Sequence, residues 1–250
     1  KNCYEKAIQI QPSSVMALNN LGNVLKELGE YQKAKSCYEK AIQIQPTYVV
    51  ALNNLGNVLG KFEEYKKAIS CYDEAIKINP NYFLAYNNKG VILQKLRKFD
   101  ESLKSYNNAF KINPNYNFLL GKVIYTKSCL CDWKYFEQNL NRLKDKINNN
   151  EASSLPFSVV TLYDLPLLQK KAAEIWIKET YSNKNKLEPI IKYKPNKKIR
   201  LGYFSADFHN HATSLLLAHM LELHDKSKFE LFGFSFGPDK KDEMRKRISS

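Results

Sequence analysis

A period of 34 residues runs through the first half of the chain and decides what it can fold into. Leu21-Gly22-Asn23-Val24-Leu25 returns as Leu55-Gly56-Asn57-Val58-Leu59 and, more loosely, as Lys89-Gly90-Val91-Ile92-Leu93. Pro12, Pro46, Pro80 and Pro114 keep the same step, as do Ala7, Ala41, Ala75 and Ala109, and Tyr4, Tyr38, Tyr72 and Tyr106. Within one unit Leu18, Leu21, Gly22 and Leu25 form an apolar face at helical spacing, and Ala34, Tyr38, Ala41, Ile42 and Ile44 form a second. Gly29 and Glu30 stand between them as a turn, and Pro46 stops the second helix. Small residues at Gly22 and Ala41 let neighbouring helices approach closely. A hairpin with two apolar faces cannot bury both alone, so such units stack into a solenoid.

This pattern resembles the tetratricopeptide repeat, with Leu, Gly, Tyr, Ala and Pro at that repeat's offsets. Three full units are expected at about 15–48, 49–82 and 83–116. A lone second helix, Lys1 to Gln11, precedes them, which suggests that the chain begins inside a longer array. After Pro114 the pattern decays, because Ile124 stands where the next glycine would fall. Asp132 is expected to cap a further helix carrying Trp133, Phe136, Leu140 and Leu143, ended by Asn148-Asn149-Asn150. Leu155 to Tyr181 reads as one or two helices interrupted at Pro166. A basic linker follows, with Lys184, Lys186, Lys192, Lys194, Lys197, Lys198 and Arg200 around Pro189 and Pro195.

From Ile199 the periodicity changes. Ile199 to Ser205 has the short, aromatic-rich look of a buried strand, Ala206 to Ala212 a loop, and Thr213 to His224 an amphipathic helix. Phe229 to Phe236 reads as a second strand, ended by Gly237-Pro238. Strand, helix and strand in that order build a parallel α/β sheet, although two strands alone cannot bury both of its faces. All four histidines, His209, His211, His219 and His224, fall in this region, the first two in the loop after the first strand. Loops at the carboxyl ends of parallel strands are where such folds place ligands, but position alone leaves open a loop in which Asp207, His209 and His211 merely close a polar turn.

Composition narrows the remaining choices. The net charge of +14 raises nucleic acid as a partner, yet the lysines are dispersed along the chain and do not gather on one element. No stretch approaches the ~20 apolar residues of a membrane span, and the amino-terminal residues read as an amphipathic helix and not as a signal peptide. The expectation is a cytoplasmic protein with no nucleic-acid and no membrane partner. The five cysteines are read as reduced thiols. Cys3, Cys37 and Cys71 fall one per repeat, and Cys129-Leu130-Cys131 has neither zinc nor thioredoxin spacing, with no histidine near.

The segment Arg200 to Ser214 (RLGYFSADFHNHATS), the strand Lys228 to Ser235 and Pro238-Asp239 resemble the start of the catalytic region of the O-linked N-acetylglucosamine transferase family. Cys131-Asp132-Trp133 and Leu155-Pro156-Phe157 are similar to that family's junction between repeats and catalysis. The resemblance implies residues 1–130 as a tetratricopeptide superhelix, 131–198 as a helical junction with the basic linker, and 199–250 as the beginning of an α/β, GT-B catalytic domain. It implies transfer of N-acetylglucosamine, or of a relative such as fucose, from a nucleotide donor, UDP-GlcNAc in the first case, to Ser or Thr of protein acceptors. No metal and no cofactor are called for beyond that donor substrate. His211 matches the family's active-site histidine, as base or as positioner. Asn20, Asn54 and Asn88 match amides that line the inner surface of the repeats, where two donors and two acceptor lone pairs per amide can hold a peptide backbone without reading its sequence. A duplicated repeat copies its surface with its core, so recurrence by itself leaves these amides as a solvated helix face. The family places a nucleotide-binding lobe further on, and Gly202, Gly233 and Gly237 are isolated and form no phosphate loop, so these 250 residues are expected to be inactive by themselves. The rival reading is a non-enzymatic tetratricopeptide scaffold.

Overall fold

The structure, a computed structural model, describes residues 1–181, 197–237 and 240–249. The chain divides into two compact units, Lys1–Lys184 and Asn185–Ser250. Most of the basic linker read from the sequence lies outside the described residues.

The first unit is helical throughout. A lone helix α1 (Asn2–Ile10) is followed by three hairpins: α2 (Val15–Glu27) with α3 (Tyr31–Ile44), α4 (Val49–Lys61) with α5 (Tyr65–Ile78), and α6 (Phe83–Lys95) with α7 (Phe99–Ile112). Each hairpin is locked by one contact, repeated. The rings of Tyr38, Tyr72 and Tyr106 are almost fully buried and lie where a Cβ on Gly22, Gly56 or Gly90 would come within 2.5, 2.6 and 2.6 Å of ring carbons. Glycine at these positions is therefore a requirement of packing, since any side chain would push the second helix off the first. A continuous core runs from Leu21, Leu25, Ala34 and Tyr38 through Leu55, Val58, Leu59 and Tyr72 to Ala85 and Ile92. Ile44, expected on this core, is 45% exposed.

The turn inside each hairpin recurs as well. Gly29, Glu63 and Arg97 all have φ near +60 to +80°, and the next residue's N–H reaches back to Leu25, Leu59 or Leu93 at 2.8, 3.0 and 2.9 Å. This left-handed closure satisfies the carbonyls at the end of the first helix.

The array ends because a different segment occupies the next position. α8 (Leu119–Cys129) packs on α7, but its amino end is met by the stretch Ala152 to Ser154. Phe118 N–H donates to the Ala152 carbonyl at 2.6 Å and Gly121 N–H to that of Ser153 at 2.8 Å. A separate core of Leu120, Ile124, Leu143, Ile147, Val159, Leu168 and Ala172 joins α8 to α9 (Phe136–Asn148), α10 (Pro156–Leu162) and α11 (Pro166–Tyr181). Asp132 does not cap α9. The helix starts at Phe136 after Tyr135 in the left-handed region, while Asp132 accepts from Lys134 N–H at 3.2 Å and pairs with Lys127 at 3.1 Å. Trp133 stays outside the helix, 57% exposed.

The second unit contains β1 (Ile199–Ser205), α12 (Ala212–Glu222), β2 (Phe229–Ser235) and α13 (Glu243–Ser249). The two strands pair in parallel, Ile199 opposite Phe229 through Ser205 opposite Ser235. Phe204 and Phe234 stack face to face, 4.5 Å between ring centroids, on a sheet face that leaves them 69% and 48% exposed.

Candidate functional site

Two sets of residues carry chemistry, one in each unit. In the first, the asparagines singled out by the repeat do not project freely. Asn54 Nδ2 donates to Asn19 Oδ1 at 3.0 Å and to Asn23 Oδ1 at 3.2 Å, and Asn88 Nδ2 donates to Asn53 Oδ1 at 3.0 Å. Asn87 Nδ2 in turn donates to Asn88 Oδ1 at 2.9 Å, and Asn19 Nδ2 to Asn20 Oδ1 at 3.5 Å. The bonds from Asn54 to Asn19 and from Asn88 to Asn53 each join residues 35 apart, so the amide pairs of successive first helices form a ladder. The inner member of each pair, Asn19, Asn53 and Asn87, is buried, and Asn54 is 9% exposed. A solvated face is thereby ruled out for Asn54, whose two N–H donors are both used.

The ladder's last rung is a residue that the repeat alignment passed over. Lys122 stands 34 residues after Asn88, and its Nζ donates to Asn87 Oδ1 at 2.8 Å, the same bond made by an ammonium. Burial pulls its pKa down to about 8. Position 121 is glycine because Ser154 fills the space, its Oγ 2.1 Å from where a Cβ would sit.

A second row lies beside the first. Tyr38 and Tyr72 hydroxyls donate to Asn23 Oδ1 and Asn57 Oδ1 at 2.8 and 2.9 Å. In the third unit Val91 replaces that asparagine, and Tyr106 turns to Gln94 Oε1 at 3.3 Å. Burial pushes all three phenols well up. Together the first helices enclose an open cavity of about 600 Å³, lined among others by Lys26, Lys61, Lys95, Asn57 and Asn88. The doublets Asn19-Asn20, Asn53-Asn54 and Asn87-Asn88 were the available signal for this arrangement; the sequence reading took only their second members.

In the second unit, His211 sits at the carboxyl end of β1, as the N-cap of α12. Its Nδ1 accepts the Thr213 backbone N–H at 3.2 Å, with Asp207 Oδ2 3.7 Å away, and the ring is exposed. Thr213 Oγ1 also lies 3.2 Å from Nδ1, and a neutral ring that accepts the Thr213 N–H at Nδ1 carries its proton on Nε2. The loop is tied from behind. Asn210 and Arg245 N–H groups donate to the Asp242 carboxylate at 2.8 and 2.9 Å, holding its pKa below the usual carboxylate range. Arg245 Nη1 donates to the Phe208 carbonyl at 3.1 Å. His209, by contrast, is buried with its ring 5.7 Å from that of His211. Among the described residues no three or more His, Cys, Asp and Glu side chains are grouped to hold a metal, and no helix is long and apolar enough to cross a membrane. All five thiols are unpaired, and burial raises Cys71 to about 11.

The fold defines a helical-repeat protein that carries a parallel α/β unit. Residues 13–81 and 83–116 match the tetratricopeptide repeat, and residues 130–250 match glycosyl transferase family 41. The chain thus joins tetratricopeptide repeats to a segment that matches glycosyl transferase family 41. It is 26% identical over 144 residues to the probable UDP-N-acetylglucosamine–peptide N-acetylglucosaminyltransferase SEC of Arabidopsis thaliana, an alignment that covers 51% of this chain and 15% of that protein. The chain thus spans a small part of that relative's length. Among solved structures it is similar to MamA at 22% identity with a TM-score of 0.52, over 58% of this chain and 87% of that one, which bears on fold alone. A mutant O-GlcNAc transferase of Thermobaculum terrenum aligns at 19% identity with a TM-score of 0.48, over 94% of this chain and 39% of that one.

Proposed function

We propose that the protein containing this chain is a protein O-glycosyltransferase that moves N-acetylglucosamine from UDP-GlcNAc to Ser or Thr hydroxyls of cytoplasmic protein acceptors. In this reading residues 1–130 hold the acceptor polypeptide, residues 131–198 join the parts, and residues 199–250 begin the catalytic domain. The observation that carries it is the family 41 match over residues 130–250, within which an exposed His211 heads a helix at the carboxyl end of a parallel strand.

Asn20, Asn54 and Asn88 contribute differently to the acceptor's grip. Asn54 has spent both amide hydrogens inside the ladder, so its carbonyl oxygen is what remains for a peptide N–H. Asn88 keeps one N–H and a second lone pair, and Asn20 keeps its N–H groups, so these two can both donate to and accept from a peptide bond. His211 acts as a positioning donor. Thr213 N–H occupies Nδ1, leaving Nε2–H to hydrogen-bond an oxygen of the reacting pair; a base at Nε2 would require the proton on the nitrogen that Thr213 already faces. The donor nucleotide is a substrate, and the reading assigns no role to a metal.

The test is transfer of labelled sugar to a Ser/Thr peptide by the whole protein, with UDP-GlcNAc and GDP-fucose offered in parallel. Transfer from UDP-GlcNAc is expected, and His211→Ala is expected to lower it about 10²-fold or more. Transfer from GDP-fucose alone would replace the sugar. No transfer from either donor, with peptide binding intact, would leave the scaffold reading in its place.

A further inference from the structure

The acidic side chains of the repeat unit are spent on one side of it. Glu30 pairs with Lys1 and Lys33 at 3.2 and 2.5 Å, Glu64 with Lys35 and Lys67 at 3.7 and 2.5 Å, and Glu101 with Lys98 at 2.9 Å, all on or beside the second helices. The cavity between the first helices is treated differently. Lys26, Lys61 and Lys95 line it, and among the described residues none of the three makes an ion pair; Lys95 Nζ instead lies 5.9 Å over the Tyr65 ring. Glu27 is the one carboxylate in the wall. Asn57, whose oxygen accepts the Tyr72 hydroxyl, and Asn88, which keeps one N–H, line the same wall. The ladder, of which Asn88 lines the cavity, ends in a further cation, Lys122.

The geometry points to a stretch of extended polypeptide rich in Asp and Glu as the occupant of this cavity, its backbone on the amides and its carboxylates on Lys26, Lys61 and Lys95. The donor excess asks for acceptors, which a peptide supplies twice over, from carbonyls along its backbone and from acidic side chains. A nucleic acid would bring a phosphate at every unit and set some of them against Glu27, whereas a peptide can place an uncharged residue there. The inference rests on the proposal that the repeats hold acceptor polypeptide and adds the sequence character of the segment they hold.

Fluorescence anisotropy of the 250-residue chain with two labelled peptides of equal length tests this, one bearing Asp and Glu and the other Asn and Gln at the same places. Exposed ion pairs are worth ~0.2–1 kcal/mol each, so three give a preference of about tenfold for the acidic peptide in 50 mM salt, shrinking towards unity in 500 mM. The triple variant Lys26→Gln, Lys61→Gln, Lys95→Gln is expected to bring the ratio to about one. The double variant Lys33→Gln, Lys67→Gln, on the second helices, keeps it, and circular dichroism verifies that both variants stay helical. Equal binding of the two peptides in low salt overturns the inference while leaving the peptide-holding reading intact. Failure of both peptides to bind overturns the two together. An oligothymidylate of equal charge that binds more tightly than the acidic peptide and displaces it also overturns the inference, in favour of nucleic acid.

Discussion

At Gly56 a single methyl group is enough to test how the repeat is held. An added Cβ would lie 2.6 Å from Cε1 of Tyr72, a ring that is 1% exposed and fixed by its hydroxyl bond to Asn57, so neither partner can yield. Gly56→Ala is expected to cost about 1–3 kcal/mol in urea unfolding despite alanine's better helix propensity. Gly60→Ala, four residues on, meets only the Cδ1 end of Ile92 at 2.8 Å and is expected to cost less, because a methyl terminus can rotate away. Lys122 makes a second prediction with a definite sign. Its ordinary value of 10.5 falls to about 8 on folding, so between those values the folded chain holds fewer protons than the unfolded one. The destabilisation from its buried charge is fully present below about pH 8 and is relieved as pH rises. The unfolding midpoint of the parent chain should therefore rise relative to that of Lys122→Met between pH 7.5 and 9.5 on the pH scale set by that shift, roughly. Buried thiols and phenols such as Cys71 and Tyr106 act in the opposite sense, but equally in both proteins, so the difference isolates Lys122. A constant difference across that range would remove the buried ammonium from the account.

Among the elements, the hairpin turn is the most economical place to alter stability. Gly29 adopts φ 78° without strain, whereas Glu63 and Arg97 hold φ 61° and 58° with a Cβ attached. Left-handed backbone costs an L-residue ~1–2 kcal/mol, partly offset by glycine's larger entropy in the unfolded chain. Glu63→Gly should thus raise the thermal midpoint, by up to about 1 kcal/mol of stability, and Gly29→Ala should lower it by about 1 kcal/mol. Equal midpoints for all three proteins would mean that the turn geometry carries no strain. Glu63 and Arg97 also show why Gly29 alone was a weak turn signal: the closure depends on the N–H bonds back to Leu25, Leu59 and Leu93, which any residue can make once the helices are packed. Helix α9 makes the same point in reverse. Asp132 has the side chain of a helix cap, but its pairing with Lys127 on α8 holds it three residues short of the helix that Tyr135 begins.

Over the whole molecule the sequence by itself determined the period, the helix pairs, the decay of the repeat pattern after Pro114 and the change to strand and helix after Ile199. Each of these rests on a local rule: apolar spacing at 3.6 or 2 residues, proline and glycine at chain reversals, and a small residue wherever a ring must come close. The loop that carries His211, between the first strand and its helix, was legible too, because short-range order sets the change from strand to helix, whereas His211 itself was singled out by resemblance. What only the tertiary structure decided is how identical residues are used. Asn20, Asn54 and Asn88 occupy one repeat position, yet burial and the neighbours supplied by the next hairpin leave them with different free donors and acceptors. Ala152 to Ser154, some thirty residues downstream, ends the stack, and Lys122 becomes the last rung of an amide ladder. Such outcomes depend on which groups distant segments bring within about 3 Å, and a hydrogen bond between residues 35 apart leaves no trace in the periodicity of either helix.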